Sequence, residues 1–196
     1  MFNILKLILQ DKILRKRILF TLFALVLFRA LASIPVPGVD HGRLAQFFTS
    51  NEFFGLLNIF SGGGLSQLSI VMLGVGPYIT ASIIMQLLTV MSPKMKAMYS
   101  EEGTAGRMKF TQYGRLLTLP LAIVQSFTFI VLLQRQGVVL QLDTFHTLAN
   151  VAIITAGSMF VMWIGEALTE FGIGSGTSMI IFAGIVSVIP QKISQL

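Results

Sequence analysis

The chain reads as an all-α, polytopic membrane protein, and three observations predict it. Four stretches, 70–91, 116–133, 147–165 and 171–191, hold no Lys, Arg, Asp or Glu. Each is about the 17–25 residues that a helix needs to cross a hydrocarbon core. Hydrophobic residues make up 54% of the chain and charged residues 11%, with a mean hydropathy of +0.81. A soluble domain of 196 residues could not coat its surface with 14 Lys and Arg plus 8 Asp and Glu, whereas in lipid the exterior meets acyl chains and backbone groups bond within helices. Third, the cations cluster. Lys6, Lys12, Arg15, Lys16 and Arg17 precede a first span near 18–34, and Lys94, Lys96, Arg107, Lys109 and Arg115 lie between the second and third spans. Alternating spans put both clusters on one side, so the positive-inside rule predicts a cytoplasmic N-terminus and an external C-terminus. This bias sets topology, and the net charge of +6 is no argument for nucleic acid.

Residues 1–17 fit an amphipathic interfacial segment, with Phe2, Leu5, Leu9 and Ile13 on one face and cations available to anionic headgroups. A cleaved leader ending at Ala30-Leu31-Ala32 is the alternative, but it would be unusually long, with Arg29 beside the cut. The first span, 18–34, contains one charge, Arg29, which either snorkels outward or pairs within the bundle. Pro35 and Pro37 end that helix by removing donors and restricting their predecessors.

A short apolar segment follows, with Phe53, Phe54, Leu56, Leu57, Ile59 and Phe60 running into Ser61-Gly62-Gly63-Gly64. It is too short to span. It reads either as a re-entrant element buried in protein or as a helix on the outer interface. The second span, 70–91, carries Gly74, Gly76 and Pro77, which predict a kink and close packing. Residues 92–115 read as a long charged loop. The third and fourth spans, 116–133 and 147–165, are joined outside, with Trp163 placed for an interfacial belt. The fifth, near 173–190, opens with Gly172 and Gly176 at a spacing that permits close backbone approach.

Catalytic chemistry is absent from this reading. There is no cysteine, and His41 and His146 lack the helical partner of a metal site and read as loop surface. Ser175, between Gly174 and Gly176, has no histidine or lysine within a span to activate it. No cofactor is expected.

Several stretches resemble the SecY family of protein-conducting channels. They are 34–38 (IPVPG), 60–66 (FSGGGLS), 73–88 (LGVGPYITASIIMQLL), 102–103, 106–107, 112–113, 159–166 (MFVMWIGE), 172–176 (GIGSG) and 180–186 (IIFAGIV). They run in the family's order across almost the whole chain. The resemblance implies the N-terminal five-helix half of a ten-helix clamshell built as an inverted repeat. It implies that residues near 53–68, with Phe53, Phe54, Leu56, Leu57, Ile59, Phe60, Ser61, Gly62, Gly63 and Gly64 at their centre, form a half-inserted plug. That favours the re-entrant alternative. It implies that the second span is one wall of a lateral gate, that Val75, Ile79 and Ile83 belong to an aliphatic pore ring, and that Thr177 and Ile181 are the fifth span's contribution. The i, i+4, i+8 spacing puts the first three on one helix face; ordinary bundle packing produces the same stripe. Thr177 is polar where the family usually places an aliphatic residue.

The function implied is passive: unfolded polypeptides cross the membrane and apolar segments leave sideways into lipid, with the bilayer itself a partner. Implied protein partners are SecE and SecG, the SecA motor or a translating ribosome, signal sequences and nascent polypeptides, and a C-terminal SecY half or a second copy. Arg107 and Lys109 would offer charge-assisted docking to an acidic surface. No nucleic-acid function is expected beyond ribosome contact, and the location implied is a bacterial inner membrane. A five-helix half cannot enclose a pore alone, so the chain is a piece of a longer one or a natural half needing a partner. Two other functions stand beside this one, a pore-less insertase and half of a small-solute transporter. The second of these finds few polar groups at mid-span beyond Gln86, Gln125 and Ser126.

Overall fold

The computed structural model describes residues 11–37, 64–65, 67–137 and 143–193. Among them the regular structure is helical: α1 (Lys12–Ala32), α2 (Gly76–Met91), α3 (Pro93–Ser100), α4 (Gly103–Arg135), α5 (Thr144–Phe171) and α6 (Gly176–Ile193). The expected plug residues 53–63 lie outside the described residues.

α1 starts earlier than its apolar run because Asp11 caps it, accepting from the Ile13 N–H at 2.9 Å. The cations from Lys12 to Arg17 therefore form the first turns of α1, continuous with its apolar run; residues 1–10 of the expected interfacial segment lie outside the described residues. Past Ala32 the chain straightens at Pro35 and pairs briefly with the segment that precedes α2. The Val36 N–H donates to the Leu68 carbonyl at 2.8 Å, and the Ile70 N–H donates to the Ile34 carbonyl at 3.0 Å.

Residues 67–75 are a run of turns and not the start of a kinked helix. Gly74 takes φ 54°, a conformation that costs glycine nothing and would strain any side chain. Pro77 then falls in the first turn of α2, where its missing N–H is not needed. The same Gly-Pro signal that predicts a kink marks a helix start here. At 16 residues, α2 is about 24 Å long at 1.5 Å per residue, short of a 30 Å core. The turns before it are largely buried within the bundle. Irregular backbone is tolerated at such depth only inside protein, and α5 provides that cover. Ser158 Oγ donates to the Gly74 carbonyl at 3.1 Å, Asn150 Nδ2 to the Pro37 carbonyl at 3.3 Å, and Gly157 lies directly against the Ile70 carbonyl.

The expected loop 92–115 is mostly helix. Pro93 opens α3, Glu101 and Glu102 turn the chain, and Gly103 at φ 64° begins α4. At 33 residues, α4 is about 50 Å long, so its first turns project beyond the membrane with α3. Gly106 fits under the Met98 carbonyl, and the Tyr99 and Phe110 rings stand 5.0 Å apart. Charged, Gly-containing sequence suits a solvated helix as well as a loop, which is why composition alone misreads it.

Above the hairpin, α4 buries Gly114, Thr118, Ala122, Ser126 and Ile130, one residue in every four. This stripe of mostly small residues lets α2 and α5 approach closely. α4 and α5 are each long and apolar enough to cross a membrane. α5 is capped by Asp143, and His146 sits exposed in its first turn. α5 ends at Gly172, and Gly174 at φ 73° turns the chain into α6. Gly176 then lies against the Gly165 carbonyl, where any side chain would collide. Leu116, Val90 and Met91 are 71%, 84% and 80% exposed. Such apolar exposure is a liability in water and a requirement in lipid.

Candidate functional site

A cavity of about 710 Å³ opens between α2, α4 and α6. α2 and the turns before it contribute Met72, Val75, Gly76 and Ile79, α4 contributes Val124, Gln125 and Thr128, and α6 contributes Ile181. Its walls are mainly hydrocarbon. Polar atoms enter from Gln125 and Thr128 partway along and from Arg135 at the end of α4.

Of the five residues expected at a pore ring, the structure brings three together here: Val75, Ile79 and Ile181. Val75 is the N-cap of α2 and is almost fully buried in a cluster with Phe28, Val71, Val161 and Ile180. Ile79 and Ile181 are half-buried against the same cluster. Ile83 continues the α2 stripe but is 51% exposed and lies outside the cavity lining. Thr177 stands at the first turn of α6, against Gly165 of α5, with its hydroxyl 3.2 Å from Ser175 Oγ. It is also outside the lining. Gly64 is buried in the turns that precede α2, accepting from the Ser69 N–H at 2.8 Å, and its neighbour Leu65 lines the cavity.

Arg107 and Lys109 are both exposed on the projecting turns of α4. The Arg107 guanidinium lies 5.8 Å from the Tyr99 ring centroid, toward α3. Residues two apart on a helix do not face the same way, so the two cations flank the buried Gly106–Phe110 side and present separate surfaces.

Sequence reasoning missed the ties between helices. Arg115 Nε donates to Glu166 Oε1 at 2.7 Å, joining α4 to α5, with the side chains 46% and 19% exposed. The available signal was topological, because Arg115 precedes one apolar run and Glu166 closes another, which places both at the basic end. The Ser126 and Thr155 hydroxyls meet at 3.1 Å between the same helices, fully inside.

Residues 69–196 match the family model described as SecY. The chain belongs to the SecY family. It is 46% identical over 181 residues to the protein translocase subunit SecY of Pseudomonas aeruginosa, covering 91% of this chain and 41% of that protein. The SecY subunit of Synechocystis is 45% identical over 182 residues, at 93% and 41% coverage. In three dimensions the chain is similar to a protein-conducting channel, with a TM-score of 0.66, 22% identity, and coverage of 92% of this chain and 38% of that one. It is similar also to a SecY structure described for its plug domain, with a TM-score of 0.67, 24% identity and the same coverage. The chain thus spans about two fifths of the length of the curated relatives it matches.

Proposed function

We propose that this chain is the N-terminal half of a protein-conducting channel, providing one wall of the pore and one side of a lateral opening to lipid. The observation that carries the reading is the apolar groove in which Val75 and Ile79 of α2 stand with Ile181 of α6. An aliphatic wall excludes water and ions yet makes no sequence-specific bond to a passing peptide. Ile83 and Thr177 would complete the ring only after α2 and α6 meet the other half, and the plug would be built from residues 53–64. The basic end faces the cytoplasm of a bacterial cell in this reading, with SecE and SecG alongside and SecA or a ribosome supplying the drive. Arg107 and Lys109 dock to different features of that partner. The chain itself performs no catalysis.

A photoreactive side chain at Ile79 or Ile181 tests this in the complete channel, with a stalled secretory precursor. Both positions should cross-link to hydrophilic as well as apolar parts of the precursor, while Leu116, on the lipid-facing side of α4, should cross-link to neither part. Gln125, Thr128 and Arg135 along the open groove favour the insertase as a second reading. In that case only apolar segments would be captured at Ile79.

A further inference from the structure

Arg29 lies twelve residues beyond Arg17 in α1, about 18 Å along the axis at 1.5 Å per residue. With Arg17 at the headgroups, Arg29 stands inside a hydrocarbon core about 30 Å thick. A charge at that depth is costly and calls for a specific partner. Arg29 Nη1 donates to Ser187 Oγ of α6 at 3.1 Å. The same hydroxyl donates its own proton to the Gly184 carbonyl at 2.7 Å. That back-bond turns the hydroxyl's lone pairs outward, so the serine accepts from the guanidinium without competing for a proton.

At the basic end α1 meets the α5–α6 connection by close packing. Gly172 leaves no room for a Cβ beside Thr21, the Phe20 and Phe171 rings meet edge-on at 5.9 Å, and Gly176 sits under the Gly165 carbonyl. α6 is therefore clamped by shape at its start and tied by a polar bond toward its far half. Ile181, which lines the groove, lies between the two.

We infer that Arg29 is a positioning residue: its bond to Ser187 holds the far half of α6 against α1 and so sets where Ile181 stands in the groove. The functional consequence rests on the channel reading; the placement of α6 does not.

No residue of the chain is a cysteine, so, with any cysteine outside it replaced by serine, nitroxide pairs can be introduced into the full-length protein in lipid nanodiscs. One pair, Val26→Cys with Val186→Cys, reports the far end; another, Leu19→Cys with Ser178→Cys, reports the basic end. Arg29→Met and Ser187→Ala should each shift the far-end distances to longer, broader values and leave the basic-end pair unchanged. Arg29→Lys, which keeps a donor, should restore the parental far-end distances. An unchanged far-end pair in both loosening variants, or equal loosening at both ends, overturns the inference. In planar bilayers the same two variants should raise resting leak. Loosening without leak, while Ile79→Asn does leak, overturns the link to Ile181. If Ile79→Asn is silent as well, the channel reading has failed, and the spin-label distances alone decide the role of Arg29.

Discussion

The turns before α2 and the α3–α4 hairpin are both irregular joins between helices, and both rely on a glycine lying against a carbonyl. They differ in what surrounds them. The 67–75 turns are buried against α5, and their backbone groups find partners in Ser158 and in paired backbone at Ile34 and Val36. The hairpin at 93–110 is largely exposed, with Lys94, Lys96, Arg107 and Lys109 in solvent. Where water is excluded, every polar backbone group needs an appointed partner, and the positions that supply it are fixed in type. Where water is present, it supplies what the chain does not.

The largest expected effect follows from that contrast. Gly157→Ala drives a methyl into the Ile70 carbonyl, and neither a helix nor a bonded buried turn can retreat. The cost should be about 3 kcal/mol or more, at the upper end for overpacking. Unfolding in mixed detergent–SDS micelles, followed by the fluorescence of Trp163, the single tryptophan, measures it. Gly106→Ala makes the same kind of collision with the Met98 carbonyl, but α3 is a short surface helix that can shift, so about 1 kcal/mol is expected. Equal costs at the two glycines would break the comparison.

Much of the architecture is legible in the sequence for the same physical reason. Uncharged runs mark α4 and α5 because lipid tolerates few charges, and Pro35 and Pro37 stop α1 because proline cannot continue a helix. The start of α2 is not legible, because Gly74 and Pro77 signal a kink as readily as a beginning. The choice is made by Gly157 and Ser158, some eighty residues away. The pore-ring residues show the same limit. Periodicity puts Val75, Ile79 and Ile83 on one face, but only packing reveals that the cavity reaches Ile79 and stops before Ile83.

Hydroxyl deletions sharpen the contrast at a smaller scale. Ser158→Ala removes the bond to the Gly74 carbonyl and should cost about 1 kcal/mol, the range for interhelical bonds in membranes. Ser69 is as deeply buried, yet its hydroxyl has no partner among the described residues. Ser69→Ala should therefore be neutral or slightly stabilising. A loss at Ser69 equal to that at Ser158 would show that burial, not bonding, sets the cost. Smallest of all is the Arg115–Glu166 pair at the basic end. Glu166→Gln should cost about 0–1 kcal/mol, the range for partly exposed ion pairs, and the difference should shrink in high salt. The same unfolding assay at low and high ionic strength checks it.

The central claim is that the groove side of α2 forms a seam that must stay dry in the closed channel. Resting conductance of the full-length channel in planar bilayers tests it most directly, comparing Ile79→Asn with Ile84→Asn at matched expression. Ile79 lines the cavity, while Ile84, five residues on, points about 140° away around the helix. The account predicts a raised leak for Ile79→Asn and a parental leak for Ile84→Asn. Equal leak from both, or none from either, would contradict it and leave this face as ordinary bundle core.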